Sequence, residues 1–135
     1  MPDIGVGGVG IGLLLLSVAA CAEPLPQREG EELASTVRSV EIPSELASGE
    51  AAFRANCAAC HGERGLGTEQ GPPLVHIIYE PSHHADIAFS MAVDRGVRAH
   101  HWGFGDMPPQ PQVDQEEIAA IVRYIRFLQQ QVGIV

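Results

Sequence analysis

The sequence predicts an all-α domain, and three observations carry that expectation. Asp114-Gln115-Glu116-Glu117 supplies an N-cap with an acid three residues on, and Ile118, Ile121, Val122, Ile125 and Leu128 follow at helical spacing. A second periodic stretch runs from about Ala85 to Arg95, with Ile87, Ala88, Met91 and Ala92 on its apolar side and Gly96 as its stop. No strand pattern competes with these.

The 135 residues leave room for one small domain. The formal net charge is -9 and all eight basic residues are arginines, which makes nucleic acid an unsuitable partner and argues against docking on anionic lipid by charge alone. Aromatic residues are only 5% of the chain, so a bound apolar cofactor would supply bulk that the side chains do not.

Taken in order, the chain opens on an apolar run, Ile11 to Ala20, too short for a comfortable membrane span and ending at Cys21. Val18-Ala19-Ala20-Cys21 resembles the bacterial lipobox, in which small residues precede a cysteine that is lipidated and becomes the new N-terminus. Residues 1–20 are therefore expected to be an export signal and Cys21 a lipid attachment site; a plain secretory signal or an uncleaved anchor is the alternative. The segment Met1 to Gly10 carries Asp3 and no Lys or Arg, unlike an export signal, and points to a start codon further upstream.

Residues 21–47 are rich in Glu, Pro, Gln and Ser, with Pro24, Pro26 and Pro43 as breaks, and are expected to be a flexible tether. Within it, Leu33, Val37 and Val40 allow a short amphipathic helix over Glu31 to Val40. From residue 48 to residue 135 the chain is expected to form the folded domain. Ser44 or Ser48 can cap a helix that carries Gly49, Ala52, Phe53 and Asn56.

That helix leads into Cys57-Ala58-Ala59-Cys60-His61, two thiols three residues apart with an imidazole directly after the second. This is the spacing for covalent attachment of a c-type haem: on one helical turn both sulfurs reach the two vinyl groups while His61 sits beneath the iron as a proximal ligand. A redox dithiol would want a βαβ context, and a structural zinc would want a second ligand pair at similar spacing; neither is visible. The site implies a folding dependence on haem.

From about Ser48 to Gln130 the chain resembles the class I c-type cytochromes, small helical electron carriers. The likeness rests on Gly49 and Phe53 ahead of the Cys57–His61 motif, the loop Gly71-Pro72-Pro73-Leu74, the Met107-Pro108 pair, and Tyr124 in the terminal helix. It implies three to four helices wrapped around one covalently attached haem, with the first and last crossing. It also implies that Pro72 offers its carbonyl to Nδ1 of His61 and that Leu74 packs on the haem face.

For the second axial ligand a thioether suits a six-coordinate, raised-potential iron, and Met107 is the candidate. It lies in Gly103-Phe-Gly-Asp-Met-Pro-Pro, too rich in glycine and proline for regular structure, whereas Met91 looks like a helix core residue. Trp102 and Phe104 are expected to cover the haem, and Arg95 and Arg98 to neutralise its propionates. His76 and the pairs His83-His84 and His100-His101 are more histidines than an electron carrier needs. They are solvated or bond propionates and loop carbonyls, or the two pairs hold copper or zinc, or they compete for the iron.

The resulting expectation is a monomeric, non-enzymatic electron carrier with His61 and Met107 as axial ligands. It shuttles single electrons between redox proteins (an oxidase, reductase or dehydrogenase) at the periplasm or cell envelope, held to a membrane through Cys21. Two other readings stay open: a haem-based sensor or small-ligand enzyme with a labile distal ligand, and a haem protein with a copper site at His83, His84, His100 and His101. A place as a subunit of an oxidoreductase complex is compatible with the first.

Overall fold

The terminal helix sets the architecture, and its start is fixed by side chains. In the computed structural model, which describes residues 25–135, Asp114 accepts hydrogen bonds from the Glu116 and Glu117 amides, and Glu117 accepts from the Asp114 amide. That reciprocal capping satisfies donors a helix would otherwise leave bare and starts α5, Gln115–Gln131. The expected export segment, residues 1–20, and Cys21 lie outside the described residues.

Four further α-helices precede it: α1 (Leu25–Ser39), α2 (Ala47–Asn56), α3 (Ala58–His61) and α4 (Asp86–Arg95). Among the described residues there is no strand, only a two-residue antiparallel bridge between Val97 and Met107, so the fold is all-α. No helix among the described residues is long and apolar enough to cross a membrane. Phe53, Ile118, Tyr124, Ile125 and Leu128 are buried together and form the core between α2 and α5.

The two helices cross at Gly49. A β-carbon there would run into the Ala120 carbonyl and stand 3.0 Å from Tyr124 Cβ, so only glycine allows this approach. One turn on, the Phe53 and Tyr124 rings tilt against each other at 5.7 Å between centroids, sealing the crossing.

Three expectations are corrected here. The segment read as a flexible tether is helical over Leu25–Ser39, and Val37 is fully buried in the shared core. The physical reason is remote in sequence. Arg64, in the left-handed region at φ 56°, sends one guanidinium nitrogen to the carbonyls of Val37, Arg38 and Val40 at 2.8, 3.1 and 2.7 Å, satisfying the open end of α1.

Neither Ser44 nor Ser48 caps α2: a 3-10 turn, Ser44–Leu46, runs straight into the helix, with Leu46 at its N-cap. In α4 only Val93 is buried; Ile87 and Met91 are 66% and 45% exposed, so Met91 is not a core residue. The face expected to pack on protein borders a cavity instead, as Ala88, Met91 and Ala92 line it.

Candidate functional site

The cavity has a volume of about 550 Å³, within the range of roughly 300–1,000 Å³ usual for bound small molecules and cofactors. Its walls are largely apolar, built from Leu74, Val93, Val97, Ile118, Ile121 and Val122, with Trp102 and Phe104 toward the distal loops. Cys57, His61, Pro72, Leu74 and Met107 all line it. Cys60 does not, and is exposed.

Cys57 joins α2 to α3, its amide bonding the Phe53 carbonyl at 2.8 Å and its carbonyl receiving the His61 amide at 2.9 Å. The motif is thereby held as nearly continuous helix, which puts both thiols and the imidazole on successive turns. Gly62 then reverses the chain at φ 75°, where a β-carbon would strike the Gly67 backbone. The returning loop is bonded back through Gly67 N to His61 O at 2.6 Å and Thr68 Oγ1 to Cys60 O at 2.5 Å.

This return brings Pro72 under the imidazole. His61 Nδ1 lies 2.9 Å from the Pro72 carbonyl, which has no other role open to it than acceptor, so Nδ1 carries the proton and Nε2 the free lone pair. Burial holds the His61 pKa below its ordinary value against the smaller opposing pull of the Pro72 bond. A neutral imidazole with a fixed tautomer is the form that ligates a metal.

Burial, with a smaller contribution from Cys60, pushes the Cys57 thiol up to about 11. A catalytic redox dithiol needs the opposite, a thiol pulled down toward neutrality. The environment of Cys57 therefore does not suit it to act as the attacking thiolate of thiol–disulfide exchange.

Met107 enters from the long loop after α4. Its amide and carbonyl pair with the carbonyl and amide of Val97, both at 2.9 Å, and its carbonyl packs on Gly96, where a side chain would not fit. Arg95 and Arg98 border the same cavity. Trp102 also borders it while donating its Nε1 proton to Tyr79 Oη at 3.1 Å.

Among the histidines, ring nitrogens of His83, His84 and His101 converge, while His100, whose ring lies 4.3 Å from that of His101 between centroids, does not contribute one and has Nδ1 2.8 Å from the Arg98 carbonyl. Of the four residues in the alternative reading as a copper site, three cluster: His83, His84 and His101. His76 is committed elsewhere, its Nδ1 accepting from the Ile78 amide at 3.2 Å. Partial desolvation, then the charges of His100, His84 and His83, hold His101 below the usual imidazole range.

The sequence reading missed Arg126 and Gln129. Arg126 reaches from α5 to Asp86 Oδ1 at 2.7 Å and to the carbonyls of Tyr79 and His84, and lies over the Phe89 ring at 4.7 Å. Gln129, fully buried, accepts from Arg126 at 2.7 Å and donates to the Leu74 carbonyl at 2.8 Å. Together they fasten the loop after Leu74 to the core. The available signal was position: Ile118, Val122, Ile125 and Gln129 share one helical stripe, and Arg126 falls one turn after Val122.

Comparison with known families gives one result: the family model described as Cytochrome c matches residues 46–129. No curated protein and no solved structure matches the chain.

Proposed function

Because the chain belongs to the cytochrome c family, whose members bind haem and transfer electrons, we propose that it is a monohaem electron carrier with His61 and Met107 as axial ligands. The observation that carries this reading is the convergence of Cys57, a tautomer-fixed His61 and a backbone-pinned Met107 on one apolar cavity. The donor set fits the group: two thiols at the Cys-x-x-Cys-His sequence spacing of a haem attachment site, an imidazole, and a thioether.

Cys57 and Cys60 would each add S–H across a vinyl group, giving two thioethers and no leaving group. His61 would hold the iron through its Nε2 lone pair, and the Pro72 carbonyl, by accepting from Nδ1–H, would raise that nitrogen's basicity. Met107 offers the thioether, and Val97 keeps its backbone in place. Leu74, Val93, Val97, Ile118 and Ile121 would exclude water, and Arg95 and Arg98, which line the same cavity, would balance the charge of haem carboxylates. When bound, haem supplies a ferric/ferrous couple able to carry one electron. Carrying the electron itself asks no side chain to act as nucleophile, acid or base.

Single-electron shuttling between redox proteins of the periplasm or cell envelope follows as part of this proposal, the monomer being anchored by lipid on Cys21. Met91 and Phe104, 45% and 41% exposed at the cavity's edge, offer the apolar contacts of a weak, transient docking face. Intact mass of protein expressed with its own signal tests the anchor, since Cys21→Ser should lose the lipid mass.

The central test is the visible spectrum of the ferric and ferrous protein. Covalent haem with a weak red-edge band from methionine on ferric iron, lost in Met107→Ala and kept in Met91→Ala, is the expected result. Haem without that band would overturn the axial pair and favour a sensor or enzyme with an open distal site. No covalent haem, with maturation factors supplied, would overturn the whole reading.

A further inference from the structure

The three clustered histidines come from two separate segments, each tied down independently of any ligand. The turn at Glu80–His84 is closed by the His83 and His84 amides, which both bond the Glu80 carbonyl, at 3.0 and 2.8 Å. Arg126 then grips the His84 carbonyl from α5. The second segment, carrying His101, is tethered to the first through the Trp102 to Tyr79 bond and braced by the Ala99 amide on Asp106 Oδ1 at 2.8 Å.

On this frame a ring nitrogen from each of His83, His84 and His101 lies within 4.8 Å of the other two. Two details exceed what chance crowding of surface rings requires. First, His84 Nδ1 donates to the Ile78 carbonyl at 2.7 Å, which leaves Nε2 as a lone-pair donor; this N–H to carbonyl arrangement is the one metal-ligating histidines adopt.

Second, His83 Nε2 and His101 Nε2 stand 3.3 Å apart, sharing an N–H···N hydrogen bond whose proton a bound cation would displace. Two nitrogens bound at 2.0–2.1 Å to one tetrahedral zinc are separated by about 3.3–3.4 Å, so this pair already has the spacing of two ligands of one ion. The His84 ring nitrogen lies within 4.8 Å of both.

We propose that His83, His84 and His101 bind one divalent late first-row cation, Zn²⁺ or Cu²⁺, through three imidazole nitrogens, with a fourth position open to water. No thiolate or carboxylate belongs to the set, which disfavours Cu⁺, Ca²⁺ and Mn²⁺. The ion would tie the segment before α4 to the one after it. His84 and His101 also border the large cavity, so it would sit at the cavity's margin and apart from His61. The site does not depend on which methionine or histidine completes the iron.

Isothermal titration of the haem-loaded protein with ZnCl₂, and separately CuCl₂, tests this. One ion per chain is expected, Cu²⁺ binding more tightly than Zn²⁺ and Mn²⁺ not at all. His83→Ala and His101→Ala, both at exposed positions, should each weaken Zn²⁺ binding by about 100-fold, while His100→Ala leaves it unchanged. The haem's visible spectrum, recorded through the titration, should not move. Unaltered affinity in the His83→Ala/His101→Ala double variant would overturn the site, as would equal loss in His100→Ala. A spectral shift in step with Zn²⁺ would also overturn it, by assigning these rings to the iron. The spectrum before metal is added reports separately on haem attachment.

Discussion

The two sides of the cavity are built by different means. The side that carries the thiols and His61 is local: within residues 57–74 the chain turns at Gly62, bonds back onto its own helix, and delivers the Pro72 carbonyl to Nδ1 eleven residues away. The side that carries the histidine cluster and Met107 is remote, held by Arg126 and Gln129 across 40 to 50 residues and by one Val97–Met107 bridge. A locally closed segment gives up little chain entropy and can form early. The other exists only once α5 is docked. The lesson is that one half can fail without the other.

The largest expected effect removes the cofactor from both halves. Cys57→Ala with Cys60→Ala should abolish covalent haem and, because the cavity walls are then left facing about 550 Å³ of space, broaden or erase the cooperative thermal transition seen by circular dichroism. A sharp, unshifted transition would mean the protein core alone carries the fold.

Arg126→Met separates the halves. It strips partners from Tyr79 O, His84 O and the buried Gln129, at a cost of about 3 kcal/mol by chemical denaturation. Haem should still attach, but the methionine band and Zn²⁺ binding should both weaken. If haem attachment fails together with them, the contrast drawn above is wrong.

Arg64→Ala is the mildest. It should cost about 1 kcal/mol and raise amide exchange in α1, with the haem spectrum unchanged, because its guanidinium bonds only the end of that helix. Part of the loss is recovered by relief of its left-handed backbone only if the substitute is glycine, so Arg64→Gly should be the less damaged of the two.

What could be read from the sequence follows the same division. The Cys57–His61 spacing and the Asp114–Glu117 capping pattern are short-range signals, each complete within a few residues or one helical turn. The length of α1 was not legible, because the arginine that closes its end lies 24 to 27 residues further on. Nor was the exposure of Ile87 and Met91. Periodicity shows that a helix has an apolar side, and it does not distinguish a side facing protein from one facing a cofactor space. The paired histidines advertised themselves, but which three of the four converge depends on where Trp102 and Arg126 pull their loops.

The Val97–Met107 bridge has a use as a reporter. Its two amide protons sit in the only extended pairing among the described residues, well away from the helical ladders. Their exchange with deuterium should occur together, and sooner than that of the buried turns of α5, whose release needs global unfolding. The ratio of these two rates measures how often the Met107 loop lifts while the rest of the molecule stays intact, and thus, on the ligation proposed above, how readily its thioether would leave the iron.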